Sequence, residues 1–281
     1  MLQEKGFLPL LAALLLPLCL AFPAHAADTS AKAAEKKNPV LLTLEWPPYT
    51  SVKLADNGHI AKRVKAAYAA LGQEAKIGFF SWRRAMRLPY TDRRFTAFFP
   101  AYPSAERKQV CHLSEPIGMS QLGLAQTSQK PLQWARTEDL KRYRLGIVTA
   151  YSNEDSLDRF IRDGSVKTVA TEGDAENLLN LARGRVDAAV IDTYVFNWLM
   201  KNDARLRPWQ DKLQMNERVL VTWPLFVCFR KDSEGDVLRD EFNRGLAALH
   251  ESGPDLVPPA QAAPVIPEKT ATKEKAPRKK I

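Results

Sequence analysis

The stretch GRVDAAVID, residues 184–192, ends an apolar run on a carboxylate. Gly184 closes the segment before it, and Ala188 to Ile191 read as a buried strand. Such strands end on turn residues, so Asp192 has a structural reading as the N-cap of a helix over Thr193–Met200. It also has a chemical one, because α/β proteins hold ligand-binding groups just beyond the carboxyl ends of core strands. Both readings stand at this level. Other chemistry lacks its pattern. CxxC pairs are absent, and His59, His112 and His250 have no ligand-like spacing, so no metal site is expected. No GxxxxGK(S/T) or GxGxxG phosphate loop and no GxSxG elbow occurs, and no cofactor is expected. There is no basic–aromatic array of the kind that binds nucleic acid.

The elements that must position such a site lie between two atypical ends. Lys5, the apolar residues 7–22 and the triplet Ala24-His25-Ala26 form a secretory signal peptide over residues 1–26, with Ala27 first after cleavage. Pro17-Leu18 before Cys19 lacks the small residue that a lipid-modified cysteine needs. Export to the periplasm is therefore expected. That compartment permits a disulfide. Cys111 and Cys228 sit in strand-like runs, QVCHL and LFVCF, and fit either a disulfide or two buried thiols. Residues 27–39 read as a flexible leader. Residues 258–281 form a basic, proline-containing tail, expected to be disordered. It carries six Lys and Arg against two Glu, within a chain of net charge +9. Such a tail is a solvated segment or an adhesive for an anionic surface.

About 220 residues remain, enough for one large or two small domains. VLLTL, AKIGFF, TAFFPA and MSQLGLAQTS read as strands, with a helix marked by Ile60, Val64, Ala67, Tyr68 and Leu71 and a helical turn at SWRRAMRL. Ser104 is a plausible N-cap. The pattern then restarts. RLGIV, VKTVA and RVDAAVI are strands, and helices carry Leu157 and Phe160, then Leu178 and Leu181 behind a cap at Asp174, then Thr193–Met200. VLVTW and PLFVCFRKD follow as strands, and a last helix carries Val237, Leu238, Phe242, Leu246 and Leu249. Two successive β/α units predict a two-lobed α/β clam shell joined by two hinge strands. Lobe 1 is expected over residues 40–128 plus 222–257, and lobe 2 over 129–221. A ligand would lie between them, at strand carboxyl ends.

Three motifs, in order along residues 40–253, resemble the family 3 periplasmic solute-binding proteins, the amino-acid receptors of ABC importers. TLEWPPYT is similar to the family's opening strand and aromatic-x-Pro-aromatic turn. PSAERKQVCHLSEP resembles its T-x-x-R-x-x-x-x-x-F-S-x-P stretch, with Leu113 for the Phe. GRVDAAVID is similar to G-R-x-D-A-x-x-x-D. The resemblance implies that Arg107 grips a ligand carboxylate and Asp192 an ammonium, one from each lobe. Enclosing a zwitterion is costly unless both charges are paired, and a guanidinium matches a carboxylate with two parallel bonds. It places Trp46 and Trp82 at an aromatic clamp. Tyr102 falls where a small serine is usual, and Tyr151 and Ser152 where Gly-Thr opens a helix suited to an anion. The bulk of the two tyrosines would shrink or reshape the pocket, and Pro100 has no N–H to offer.

The implied function is a monomeric receptor that closes on an amino-acid-like small molecule and delivers it to a membrane permease. Two alternatives share the fold: a secreted enzyme resembling cyclohexadienyl dehydratases, for which Glu172 is the one acid to test, and a ligand-sensing module. Local readings stand beside these. Arg107 fits a surface position at a helix end, Trp46 and Trp82 fit core, Arg83 and Arg84 fit a solvated face, and Glu45 is a weaker pocket candidate.

Overall fold

The computed structural model describes residues 38–252. The expected signal peptide, residues 27–37 of the leader, and the basic tail lie outside the described residues.

The chain begins with β1 (Val40–Thr43), α1 (His59–Ala69), β2 (Lys76–Phe79), α2 (Trp82–Thr91) and β3 (Ala97–Ala101). β1 pairs in parallel with β2 on one side and β3 on the other, giving the order β2-β1-β3. Next come α3 (Ala105–Val110), β4 (Cys111–Leu113) and the long strand β5 (Gly118–Thr127). The arrangement then repeats with β6 (Arg144–Val148), α4 (Asp155–Arg162), β7 (Lys167–Thr171), α5 (Asp174–Ala182) and β8 (Ala188–Asp192). β6 pairs in parallel with β7 and β8, so the order is again β7-β6-β8. α6 (Thr193–Asn202), β9 (Leu213–Met215), β10 (Val221–Arg230) and α7 (Ser233–Ser252) complete the chain.

Helices cover both faces of the parallel strands, which is why these read as apolar runs rather than alternating ones. Every residue of β3 is buried. Phe99 enters a core with Tyr68, Phe229 and Phe242, while Phe98, one residue earlier, packs with Leu42, Ala85 and Cys228. β8 divides in the same way. Val190 joins Leu145, Leu157 and Phe160, and Ile191 joins Leu178, Val195 and Phe196. Helices α1 and α7 meet almost backbone to backbone, since a Cβ on Gly245 would fall 2.1 Å from the Ala67 carbonyl oxygen.

Two antiparallel strands cross between the halves. Gly118–Leu122 of β5 pair with Leu225–Val221 of β10. Beyond that, Leu122–Ala125 pair with Asp192–Ala189 of β8, and the later part of β10 pairs with β3 and β4. The result is a two-lobed α/β shell with β5 and β10 as the connecting strands. The sequence places a limit after residue 128; the pairing of β5 changes partner earlier, at Leu122. VLVTW and PLFVCFRKD, expected as separate strands, are one strand. Pro224 lacks an N–H, but it lies where β10 exchanges one set of partners for another, just before a register shift between Phe226 and Cys228. Val237, expected on the buried face of α7, is 67% exposed; Phe242 and Leu246 carry that face. Cys111 and Cys228, left open by the sequence, form a disulfide between β4 and β10 with their Cα atoms 5.3 Å apart.

Candidate functional site

In each half the chain leaves the first strand toward one neighbour and returns on the other side, between β1 and β3 and between β6 and β8. Crevices at such switch points, beyond the strand carboxyl ends, are where open α/β sheets hold ligands. Both crevices open onto one small cavity of about 30 Å³, or about 340 Å³ when the open solvent at its entrance is included. Leu44 and Trp46 follow β1, Trp82 starts α2, and Pro100 and Tyr102 end β3. Arg107 enters from α3, and Tyr151 and Ser152 from the turn after β6. A wider cavity of about 410 Å³ shares Leu44, Trp82 and Tyr151 with it and adds Glu45, Phe80 and Glu172. The structure thus brings six of the seven residues singled out from sequence around one space.

Arg107 is positioned by local chemistry. Ser104 accepts the Arg107 backbone N–H at 3.2 Å and caps α3. The guanidinium reaches back over the Trp82 and Phe98 rings, 5.8 and 5.3 Å from their centroids, and Nη1 donates to the Met86 sulfur at 2.8 Å. Nε is buried without a partner, and among the described residues no carboxylate pairs with the group. Burial pulls its pKa below the ordinary value. A half-buried guanidinium with unused donors beside a cavity is a site for an anion.

Asp192 is the seventh residue, and its expected place at the cavity surface is corrected. It is 1% exposed, behind the wall rather than in it. One oxygen caps α6 by accepting the N–H groups of Tyr194 and Val195 at 2.8 and 3.0 Å. The other accepts from the Tyr49 hydroxyl, the Ser120 hydroxyl and the Gln121 N–H at 2.9, 2.6 and 3.0 Å. Five donors occupy its lone pairs. Ser120 gives its proton to Asp192, so the Tyr102 hydroxyl, 2.7 Å away, donates to Ser120. Tyr102 therefore lines the cavity and reaches Asp192 through one intermediary. Tyr49 also stacks on Trp46, at 4.3 Å between centroids.

The expected helix terminus at Tyr151 and Ser152 is corrected as well. α4 starts at Asp155, and the Glu154 side chain already takes the N–H groups of Ser156 and Leu157. What the turn presents is the Tyr151 side chain and Ser152. Ala150 adopts a left-handed backbone, φ 64°, to aim them, a conformation non-glycine residues rarely take.

Sequence reasoning took Asp174 for a helix cap. It is instead the first residue of α5, 8% exposed, and its carboxylate accepts the Tyr151 hydroxyl at 3.3 Å. Burial and then the charge of Asp192 push it up to about 7 from 3.8. Burial raises Asp192 too, opposed by its hydrogen bonds. Asp192, with five donors, keeps the charge, and Asp174, with one long bond, keeps the proton. A pH dependence follows. Between the ordinary carboxyl range and about 7, folded Asp174 is protonated where unfolded Asp174 is not. Stability should fall as pH rises through that window, by up to about 1.4 kcal/mol per pH unit, and level off above it. Asp174→Asn should remove this slope, gaining on the wild type toward pH ~8 and matching it near pH ~4. Melting curves across that range check it; parallel profiles would refute it.

No protein-family profile and no curated protein matches the sequence. Solved structures do. A histidine kinase sensor domain described as similar to periplasmic binding proteins superposes with a TM-score of 0.65 at 18% identity, over 77% of this chain and 92% of that one. An ancestral arginine-binding protein bound to arginine gives 0.64 at 19% identity, over 77% and 94%. The GluR0 ligand-binding core from Nostoc punctiforme, in complex with L-glutamate, gives 0.62 at 18%, over 76% and 94%. With its paired crevices and two crossing strands, the chain has the fold of the periplasmic binding proteins.

Proposed function

We propose that this chain is an exported receptor that closes on a small, amino-acid-like carboxylate, with Arg107 as the anchor for the carboxylate. The observation that carries the reading is the guanidinium of Arg107, part-buried beside the cavity and without a carboxylate partner among the described residues. Trp46, Trp82, Tyr102, Tyr151 and Ser152 form the rest of the ligand chamber, and Asp192 supports it from behind through Tyr49 and Ser120. Arg162 of α4 and Glu106 of α3 pair between the lobes at 3.3 Å. Both are largely exposed, so this pair adds little stability and opens readily.

Two outputs fit one closure: release to a membrane permease in the periplasm, or signalling by a sensor. The likeness to a kinase sensor domain keeps the second in view. An enzymatic reading would rest on Glu172, which is exposed at the wider cavity and lines it together with Glu45. The test is a thermal-shift panel of amino acids and small organic acids. A ligand at a hundred times its Kd adds about 2.7 kcal/mol, or about 5–11 °C for a domain of this size. Stabilisation by at least one carboxylate, and by none of the matching amides, is expected. A panel without any shift, or turnover of the added compound, would overturn the receptor reading.

A further inference from the structure

The cavity lining holds two electrically different sets of side chains. Arg107 is anion-seeking. Trp46, Tyr102 and Tyr151 form an aromatic wall whose polar tips are engaged or buried. The Tyr102 hydroxyl is engaged with Ser120 and that of Tyr151 with Asp174, and the Trp46 indole N–H is buried without a partner. Behind these rings lie Asp174 and Asp192, 8% and 1% exposed. Among the described residues, no Lys or Arg forms an ion pair with either. Of the two, Asp192 keeps its charge, and a buried carboxylate without a countercharge makes the ring faces in front of it more attractive to a cation.

The kind of cation follows from what the wall lacks. A primary ammonium brings three N–H donors, and each must find an acceptor when it leaves water. Neither of these two carboxylates lines the cavity, and Asp192 already accepts five bonds; Glu45 and Glu172 belong to the lining of the wider cavity beside it, not to this one. Ser152 is the one aliphatic hydroxyl in the lining. A quaternary ammonium brings no N–H. It spreads its charge over methyl groups, and aromatic faces are its natural partners. We propose that the cavity selects a betaine: a short zwitterion whose carboxylate pairs with Arg107 and whose N-trimethylated ammonium lies against Trp46, Tyr102 and Tyr151. This rests on the reading of Arg107 given above and narrows its ligand class to fully N-methylated amino acids.

Calorimetry on the purified full chain tests it with three matched sets. The first is trimethylglycine and homologues with longer spacers. The second is the corresponding primary amino acids. The third is the carboxylates of the same shape in which a neutral tert-butyl group replaces the trimethylammonium. The best betaine should bind at least about thirtyfold tighter than both counterparts, the factor a desolvated cation–π contact gives. Tyr151→Phe should keep most of that preference and Tyr151→Leu should lose it. A tert-butyl carboxylate binding within about threefold of the betaine, or a primary amino acid binding more tightly, overturns the proposal. If that binding disappears in Arg107→Gln, the carboxylate-receptor reading still stands. Absence of binding in all three sets overturns the proposal too, and the thermal-shift panel then decides whether the receptor reading falls with it.

Discussion

Truncating Arg107 to alanine is expected to weaken binding of a carboxylate ligand by roughly thirty- to several-thousand-fold. Removing one partner of a buried, hydrogen-bonded charge pair costs about 2–5 kcal/mol, because the other charge stays enclosed without a match. The unliganded protein should lose far less. In it, the guanidinium has a sulfur and two ring faces for company, and its Nε has no partner. Its burial is a liability that only a ligand anion relieves. The contrast between a large affinity loss and a small change in melting temperature separates a ligand anchor from a structural arginine. Arg107→Lys keeps the charge but not the planar fork, so it should fall between wild type and alanine. Calorimetry with any ligand found in the thermal panel reads this directly. An Arg107→Ala protein that binds within about threefold of wild type would remove Arg107 from the site.

The second large effect concerns the disulfide. Replacing Cys111 and Cys228 together by alanine should lower stability by about 2–5 kcal/mol, and the melting temperature by about 4–20 °C. The bond joins residues 117 apart in sequence, and a loop of that order gives close to the largest chain-entropy effect of any cross-link, about 4.7 kcal/mol. Both cysteines are buried, at 4% and 0% exposure. The Tyr90 hydroxyl lies 3.6 and 3.4 Å from the two sulfurs, so alanines also leave that hydroxyl with fewer partners. Urea melts of oxidised, reduced and doubly substituted protein check this. The reduced and substituted forms should share a lower midpoint; an unchanged midpoint would mean that the cross-link contributes nothing.

Much of the strand and helix order was legible because β3 and β8 are covered on both faces and therefore read as unbroken apolar runs. β9 was not, since three residues make a strand only by lying against β5. The fusion of VLVTW with PLFVCFRKD was hidden because Pro224 ordinarily ends a strand, and only a change of partners accommodates it. Among site residues, the local pattern around Arg107 is a capped short helix and nothing more. Its place beside a cavity required the order of motifs. Asp192 illustrates the opposite limit. Its cap role is written in the residues after it, whereas its other donors, Tyr49 and Ser120, are 143 and 72 positions away and come together only through the fold. Asp174 looked like any acid before an apolar helix. Its hydrogen-bond partner, Tyr151, is a side chain from another turn.

The register of the crossing strands has a further consequence. The polypeptide passes into the second half and out again through directly opposed residues, Leu122 and Val221. Everything between them is a cassette whose two ends are neighbours, while β1 to β4 and α7 remain one covalent body. Exchanging that cassette with one from another protein of the same shape would carry Tyr151 and Ser152 away and leave Trp46, Trp82 and Arg107 behind. A chimera of this design keeps Arg107, Trp46 and Tyr102 together and changes only the wall that Tyr151 and Ser152 supply.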